Sequence, residues 1–118
     1  MRVGLTVWEN RVSPLFDAAC KLLVADIEKR VIRKKHYESI ECDCPNSRVT
    51  RLNDLGVNIL ICGGISNFYA NLIEARGIKI VPFAAGPVDE VLKAYVNGNI
   101  YSKDYRMPGC EIVNDTAF

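Results

Sequence analysis

The sequence predicts an α/β domain built on a mixed sheet of about five strands. Two observations carry this. The first forty residues alternate apolar and polar side chains and contain a short charged link between two such runs. After Cys44-Pro45 the pattern changes to apolar runs separated by helical segments that close on glycine. Hairpin pairing followed by crossover units places antiparallel and parallel strands in one sheet, with helices on its faces.

Val3, Leu5 and Val7 alternate with Arg2, Gly4 and Thr6 and define a first strand, broken at Arg11-Val12-Ser13-Pro14 because proline donates nothing to a ladder. Leu22 to Ile27 and Val31 to Tyr37 flank Glu28-Lys29-Arg30 and form a hairpin. Asn46 or Ser47 is placed to cap a helix through Val49, Leu52 and Leu55, with Gly56 at its left-handed end. Val57 to Cys62 is almost wholly apolar, the composition of a central parallel strand covered on both faces. Ser66 caps a second helix ending at Gly77. Ile78 to Pro82 is the next strand, and Pro87 falls in the first turn of a last helix that Gly98 stops. Residues 1–98 are thus read as one domain and residues 99–118 as a largely irregular tail.

The bulk numbers limit the function classes. The chain has 118 residues, 49% of them hydrophobic, enough for a core without disulfides. Fifteen Lys and Arg oppose fourteen Asp and Glu, for a net charge of +1. That balance argues against binding nucleic acid, which needs concentrated basic surface, and gives no reason to expect a membrane partner. The apolar opening is too short for a signal sequence, so a cytoplasmic protein is expected. Five cysteines, an odd number, fit free thiols rather than a disulfide framework.

Cys42-Asp43-Cys44-Pro45 is the sharpest local feature. Two thiolates two residues apart can turn toward one soft metal, although two sulfurs do not complete a tetrahedral site. Cys110, in Met107-Pro108-Gly109-Cys110, would supply a third sulfur if the tail returns across the strand ends. The alternative is two exposed loop thiols and an ordinary tail cysteine. Cys62 ends the central strand, where open α/β sheets place ligands. Gly63, Gly64 and the helix start at Ser66 offer an anion exposed N–H groups, and Gly86 stands at the equivalent place before the last helix. Cys62 itself is read as a core residue, as is Cys20. His36 lies among Arg33, Lys34 and Lys35 and is read as solvent-facing.

Several segments in order resemble the nitrogenase iron–molybdenum cofactor-binding accessory family. They are Val7-Trp8-Glu9-Asn10-Arg11-Val12-Ser13-Pro14-Leu15-Phe16-Asp17, Leu55-Gly56-Val57, Leu60-Ile61-Cys62-Gly63-Gly64-Ile65-Ser66, Glu74-Ala75-Arg76-Gly77-Ile78 and Arg106-Met107-Pro108-Gly109-Cys110. The resemblance implies a ribonuclease H-like three-layer α/β/α domain with a mixed five-stranded sheet. It also implies a carrier of iron–molybdenum or other iron–sulfur clusters, working with cluster-assembly or acceptor proteins, although many small members lack a settled role. One position departs from the pattern: cofactor carriers usually have His before the Phe, where this chain has Leu15, which has no lone pair for a metal.

No hydrolytic reaction is expected. The first strand has no Asp or Glu before Glu9, so the carboxylates that two-metal phosphoryl chemistry needs do not converge there. The expected function is non-enzymatic binding of a metal–sulfur cluster through Cys42, Cys44 and Cys110, with Gly63, Gly64, Ser66 and Gly86 shaping the pocket. The alternative is a metal-free interaction or thiol-redox module on the same fold.

Overall fold

The computed structural model describes residues 1–40, 45–98 and Tyr105. The strands are β1 (Arg2–Trp8), β2 (Arg11–Val12), β3 (Lys21–Glu28), β4 (Val31–Ser39), β5 (Ile59–Ile61) and β6 (Lys79–Val81). The helices are α1 (Pro45–Asp54), α2 (Asn67–Ala75) and α3 (Val88–Asn97), with one 3₁₀ turn at Phe16–Ala18. One mixed sheet runs in the order β4-β3-β1-β5-β6. Strands β1, β5 and β6 are parallel, while β3 is antiparallel to β1 and β4 to β3.

Among the described residues the sheet has six strands, where the sequence predicts about five. The extra one, β2, pairs Val7 with Val12 and Trp8 with Arg11 after a two-residue turn at Glu9-Asn10. Pro14 lies beyond the end of β2, which folds back for two residues, and Leu15 then makes a single parallel bridge with Gly64. Since β5 pairs Val3 to Leu5, β2 continues that flank of β1 beyond the point where β5 stops.

Alternation along the strands divides the core in two. Val3, Leu5, Leu23, Ala25, Ile59 and Ile61 face α3 through Val88, Val91 and Leu92. Leu22, Val24, Leu60 and Ile80 face α1 and α2 through Val49, Leu52 and Ile73, with Phe16 and Ile40 closing that layer. Each fully buried Leu or Ile contributes about 1.5–3 kcal/mol relative to exposure. No residue of β4 is fully buried, and that strand forms the open edge of the sheet. Arg2 ties β1 to its neighbours: its Nε donates to Asp26 at 2.7 Å and its Nη1 to the Leu55 carbonyl at 2.6 Å. The hydrogen bond from Arg2 holds the Asp26 carboxyl below its ordinary range.

Local boundaries refine several expectations. α1 begins at Pro45, so Asn46 and Ser47 lie within its first turn and do not cap it. Proline suits that position because the first helical N–H has no intrahelical partner. Pro87 is the cap residue of α3 rather than part of its first turn. Ser66 does cap α2, its side chain accepting from the Tyr69 N–H, and Gly98 ends α3 in the left-handed conformation. The expected tail lies outside the described residues except for Tyr105. Among the described residues, no helix is long and apolar enough to cross a membrane.

Gly63 is the most closely packed of the described glycines. A Cβ there would sit 2.4 Å from the Ser13 carbonyl oxygen and 2.5 Å from that of Pro14, both backbone atoms unable to yield locally. At Gly77 a Cβ meets nothing within 4 Å, and only the left-handed φ of 80° opposes it. Gly63→Ala should therefore cost about 2–3 kcal/mol by overpacking, and Gly77→Ala about 1 kcal/mol. Urea unfolding of both variants checks this ordering; equal losses would refute it.

Candidate functional site

The topology gathers five chain ends on one side of the sheet. The carboxyl ends of β1, β5 and β6 lie there, as do the start of β3 and the end of β4, because Val7 pairs with Lys21 and Lys21 with Ser39. Open α/β sheets place ligands at this edge. The two glycine loops meet there as expected: Phe83 N–H donates to the Gly63 carbonyl and Ala84 N–H to the Cys62 carbonyl, both at 2.9 Å. Phe83 is held at φ 60°, a left-handed conformation that is costly for an aromatic residue.

The glycines form seams in the backbone rather than the open anion cradle expected from the sequence. Gly64 N–H donates to the Pro14 carbonyl at 2.7 Å, and the Gly64 carbonyl accepts from Phe16 N–H at 2.8 Å. The Gly86 carbonyl accepts from Val12 N–H at 2.9 Å. At the start of α2, Ser66 N–H points to the Asp17 carboxylate at 3.3 Å. The place where a helix start would attract an anion is thus held by the protein's own carboxylate.

Cys62 is fully buried, and burial followed by the nearby Asp17 charge pushes its thiol up to about 12. It is therefore a core residue, as the sequence implied, and not a thiolate ligand at neutral pH. Cys20, expected inside, is exposed. It precedes β3, in a stretch that leaves the core once Phe16 and Ala19 have filled it, and it borders a cavity of about 220 Å³ shared with Trp8, Glu9 and Lys21. His36 faces solvent on β4, 3.0 Å from Glu38. Among the described residues, no group of three His, Cys, Asp or Glu side chains is arranged to hold a metal.

Cys42, Cys44 and Cys110 lie outside the described residues, but the chain beside them does not. Ile40 N–H donates to the Cys20 carbonyl at 3.1 Å, which fixes the chain two residues before Cys42. α1 begins immediately after Cys44. α3 carries the chain away from this end, yet at Tyr105 it is back, its carbonyl accepting from Ala85 N–H at 3.0 Å. Cys110 follows Tyr105 by five residues, a tether of at most about 17 Å.

Arg48 is the functional-site residue that sequence reasoning missed. It is 5% exposed, and its guanidinium donates to the carbonyls of Ile40, Phe16 and Ala19 while lying over the Phe16 ring. One side chain of α1 thus binds the end of β4 to the turn before β3. Its signal was present: Arg48 precedes Leu52 by four and Leu55 by seven, so a charge interrupts the apolar stripe of α1. Three large apolar side chains stand at the rim of the site. Trp8, Leu15 and Phe68 are 57%, 55% and 57% exposed, although each belongs to a segment that meets this end of the sheet.

Two measurements check these placements. Arg48→Met takes the guanidinium from the Ile40 and Ala19 carbonyls and leaves Phe16 with only the Ala19 N–H, and should destabilise the fold by about 3 kcal/mol, whereas a surface ion-pair residue such as Lys35 should cost under 1 kcal/mol. In a variant with Cys42, Cys44 and Cys110 replaced by serine, iodoacetamide at pH 8 should label Cys20 in the folded state and Cys62 only after unfolding. Because the folded Cys62 thiol titrates near 12 and an unfolded thiol near 9, its contribution to stability holds below pH 9 and declines between pH 9 and 12. Cys62→Ala should remove that alkaline decline; an unchanged pH profile would refute the assignment.

Comparison with known proteins fits this geometry. An uncharacterised protein of Methanocaldococcus jannaschii is 25% identical over 107 residues, spanning 85% of this chain and 89% of its own. The crystal structure of PH0822 aligns with a TM-score of 0.79 at 22% identity, covering 83% of this chain and 90% of that one. The apo form of the orange protein from Desulfovibrio gigas aligns with a TM-score of 0.70 at 18% identity, covering 83% and 88%. These structural likenesses establish the fold. The family model for dinitrogenase iron–molybdenum cofactor matches residues 1–98, and the chain belongs to that family.

Proposed function

We propose that this protein binds a metal–sulfur cluster of the iron–molybdenum type and catalyses no reaction, serving cluster storage, transfer or regulation. The observation that carries the reading is the anchoring of Ile40, α1 and Tyr105 at one end of the sheet. Cys42 and Cys44 fall between the first two of these anchors in sequence, and Cys110 follows the third by five residues. Thiolates are the soft donors such clusters take, and family membership supports the cargo. The layering of α1 and α2 on one face of the sheet and α3 on the other supports a ribonuclease H-like arrangement.

The described side chains fit a cluster only in part. Leu15 stands 55% exposed beside Gly64, where carriers resembling this family place a His, and it offers no ligand. Ligation therefore falls to the three cysteines, with Gly63, Gly64, Ser66 and Gly86 acting through the rigidity of the loops. Trp8, Leu15 and Phe68 give the rim an apolar face suited to a cluster donor or acceptor protein. A second reading is a metal-free thiol-redox or interaction module. It is favoured by the exposed thiol of Cys20, whose carbonyl is bonded to the residue two before Cys42.

Metal and acid-labile sulfide analysis separates the two. After purification without oxygen and reconstitution with iron, sulfide and molybdate, the protein should retain stoichiometric metal and sulfide. The Cys42→Ser, Cys44→Ser double variant should lose most of it while melting as the parent does. Folded protein with free thiols and no retained metal would overturn the cluster reading in favour of the redox module.

A further inference from the structure

We propose that the opposite end of the molecule carries a second ligand site, one that takes a nucleotide-class anion beside the tip of the β3–β4 hairpin. A cavity of about 610 Å³ opens there, away from the carboxyl ends of β1, β5 and β6 and within the size range of small-molecule sites. Ile27, Tyr95 and Val96 supply apolar surface, Lys29, Arg30 and Lys79 supply cationic side chains, and Glu28 adds a carboxylate to the lining.

Two features set these cations apart. The first is the lack of partners. The carboxylates nearby are engaged, Asp26 with Arg2 at 2.7 Å and Glu28 with Arg33 at 3.7 Å, and among the described residues no ion pair includes Lys29, Arg30 or Lys79. The second is strain. Lys29 and Arg30 form the two-residue turn with φ of 51° and 63°, a left-handed geometry that Asn-Gly adopts at much lower cost. Keeping two long cations there exchanges backbone ease for charge at the mouth of the cavity. The carboxyl end of α3 also faces this region, but a helix end carries only about half a charge, which one cation offsets.

Three cations over an apolar floor with an aromatic side chain call for a ligand with at least two negative charges and a flat ring. A nucleoside diphosphate or triphosphate has both. The site is independent of cluster binding, so its fate and that of the cysteines can be read separately.

The test is a titration of the ¹⁵N-labelled full chain with ADP, followed by amide shifts, with adenosine and tripolyphosphate as ring-only and charge-only probes. ADP should move the amides of Lys29, Arg30, Val96 and Gly98 and bind more tightly than either fragment. Lys29→Glu, Arg30→Glu should weaken it about tenfold or more. Lys29→Asn, Arg30→Gly should also weaken it, while raising the melting temperature by relieving the turn. The proposal is overturned if millimolar ADP leaves these amides in place, if tripolyphosphate binds as well as ADP, or if the Asn-Gly variant binds as tightly as the parent.

Discussion

The carboxyl end of this molecule depends on the contact between Gly63 and the carbonyls of Ser13 and Pro14. Backbone meets backbone with no room for a Cβ, and the adjoining bonds Gly64 N–H to Pro14 and Phe16 N–H to Gly64 lock the two loops in register. Phe16 then enters the core fully buried and offers its ring and carbonyl to Arg48. Arg48 in turn holds Ala19 and Ile40. A glycine step between β5 and α2 thus positions, through three successive contacts, the chain from which Cys42 and Cys44 emerge.

The arrangement gives the two ends of the sheet different chemistry. At the carboxyl end several backbone groups of the glycine loops are bonded within the protein. Asp17 occupies the start of α2, Pro14 takes the Gly64 N–H, and Gly86 accepts from Val12. The large side chains exposed there, Trp8, Leu15 and Phe68, are apolar and stand among the charged Glu9, Asp17 and Lys21. A cluster held at such a place would be gripped by sulfur rather than cradled by amides. At the amino end the β3–β4 hairpin projects cations past the helix termini, and the backbone is strained to do so. The near-zero net charge conceals this separation.

Much of the architecture was legible because it rests on short-range patterns. Alternation from Val3 to Val7, the Leu22–Ile27 and Val31–Tyr37 pair, and the glycines after each helix all correspond to observed elements. β2 was not legible, since two residues of pairing carry no periodicity and depend on the turn at Glu9-Asn10. The site was less legible than the fold. Gly63-Gly64 looks like an exposed cradle until its long-range neighbours Ser13 and Pro14 are in place. Cys20 looks like a core residue until Phe16 and Ala19 are seen to fill that space. Arg48 was visible as a charge on an apolar helical face, but its three carbonyl partners come from segments eight to thirty-two residues away.

The proposed cluster site requires that Cys42, Cys44 and Cys110 come together in the folded protein before any metal binds. Cross-linking of the metal-free Cys20→Ser protein with dibromobimane, a reagent that fluoresces strongly only when it bridges two nearby thiols, tests this directly. Peptide mapping should find Cys110 bridged to Cys42 or Cys44 within one chain in native protein and not in urea. Single-thiol adducts at all three cysteines, with no intramolecular bridge to Cys110, would contradict the account.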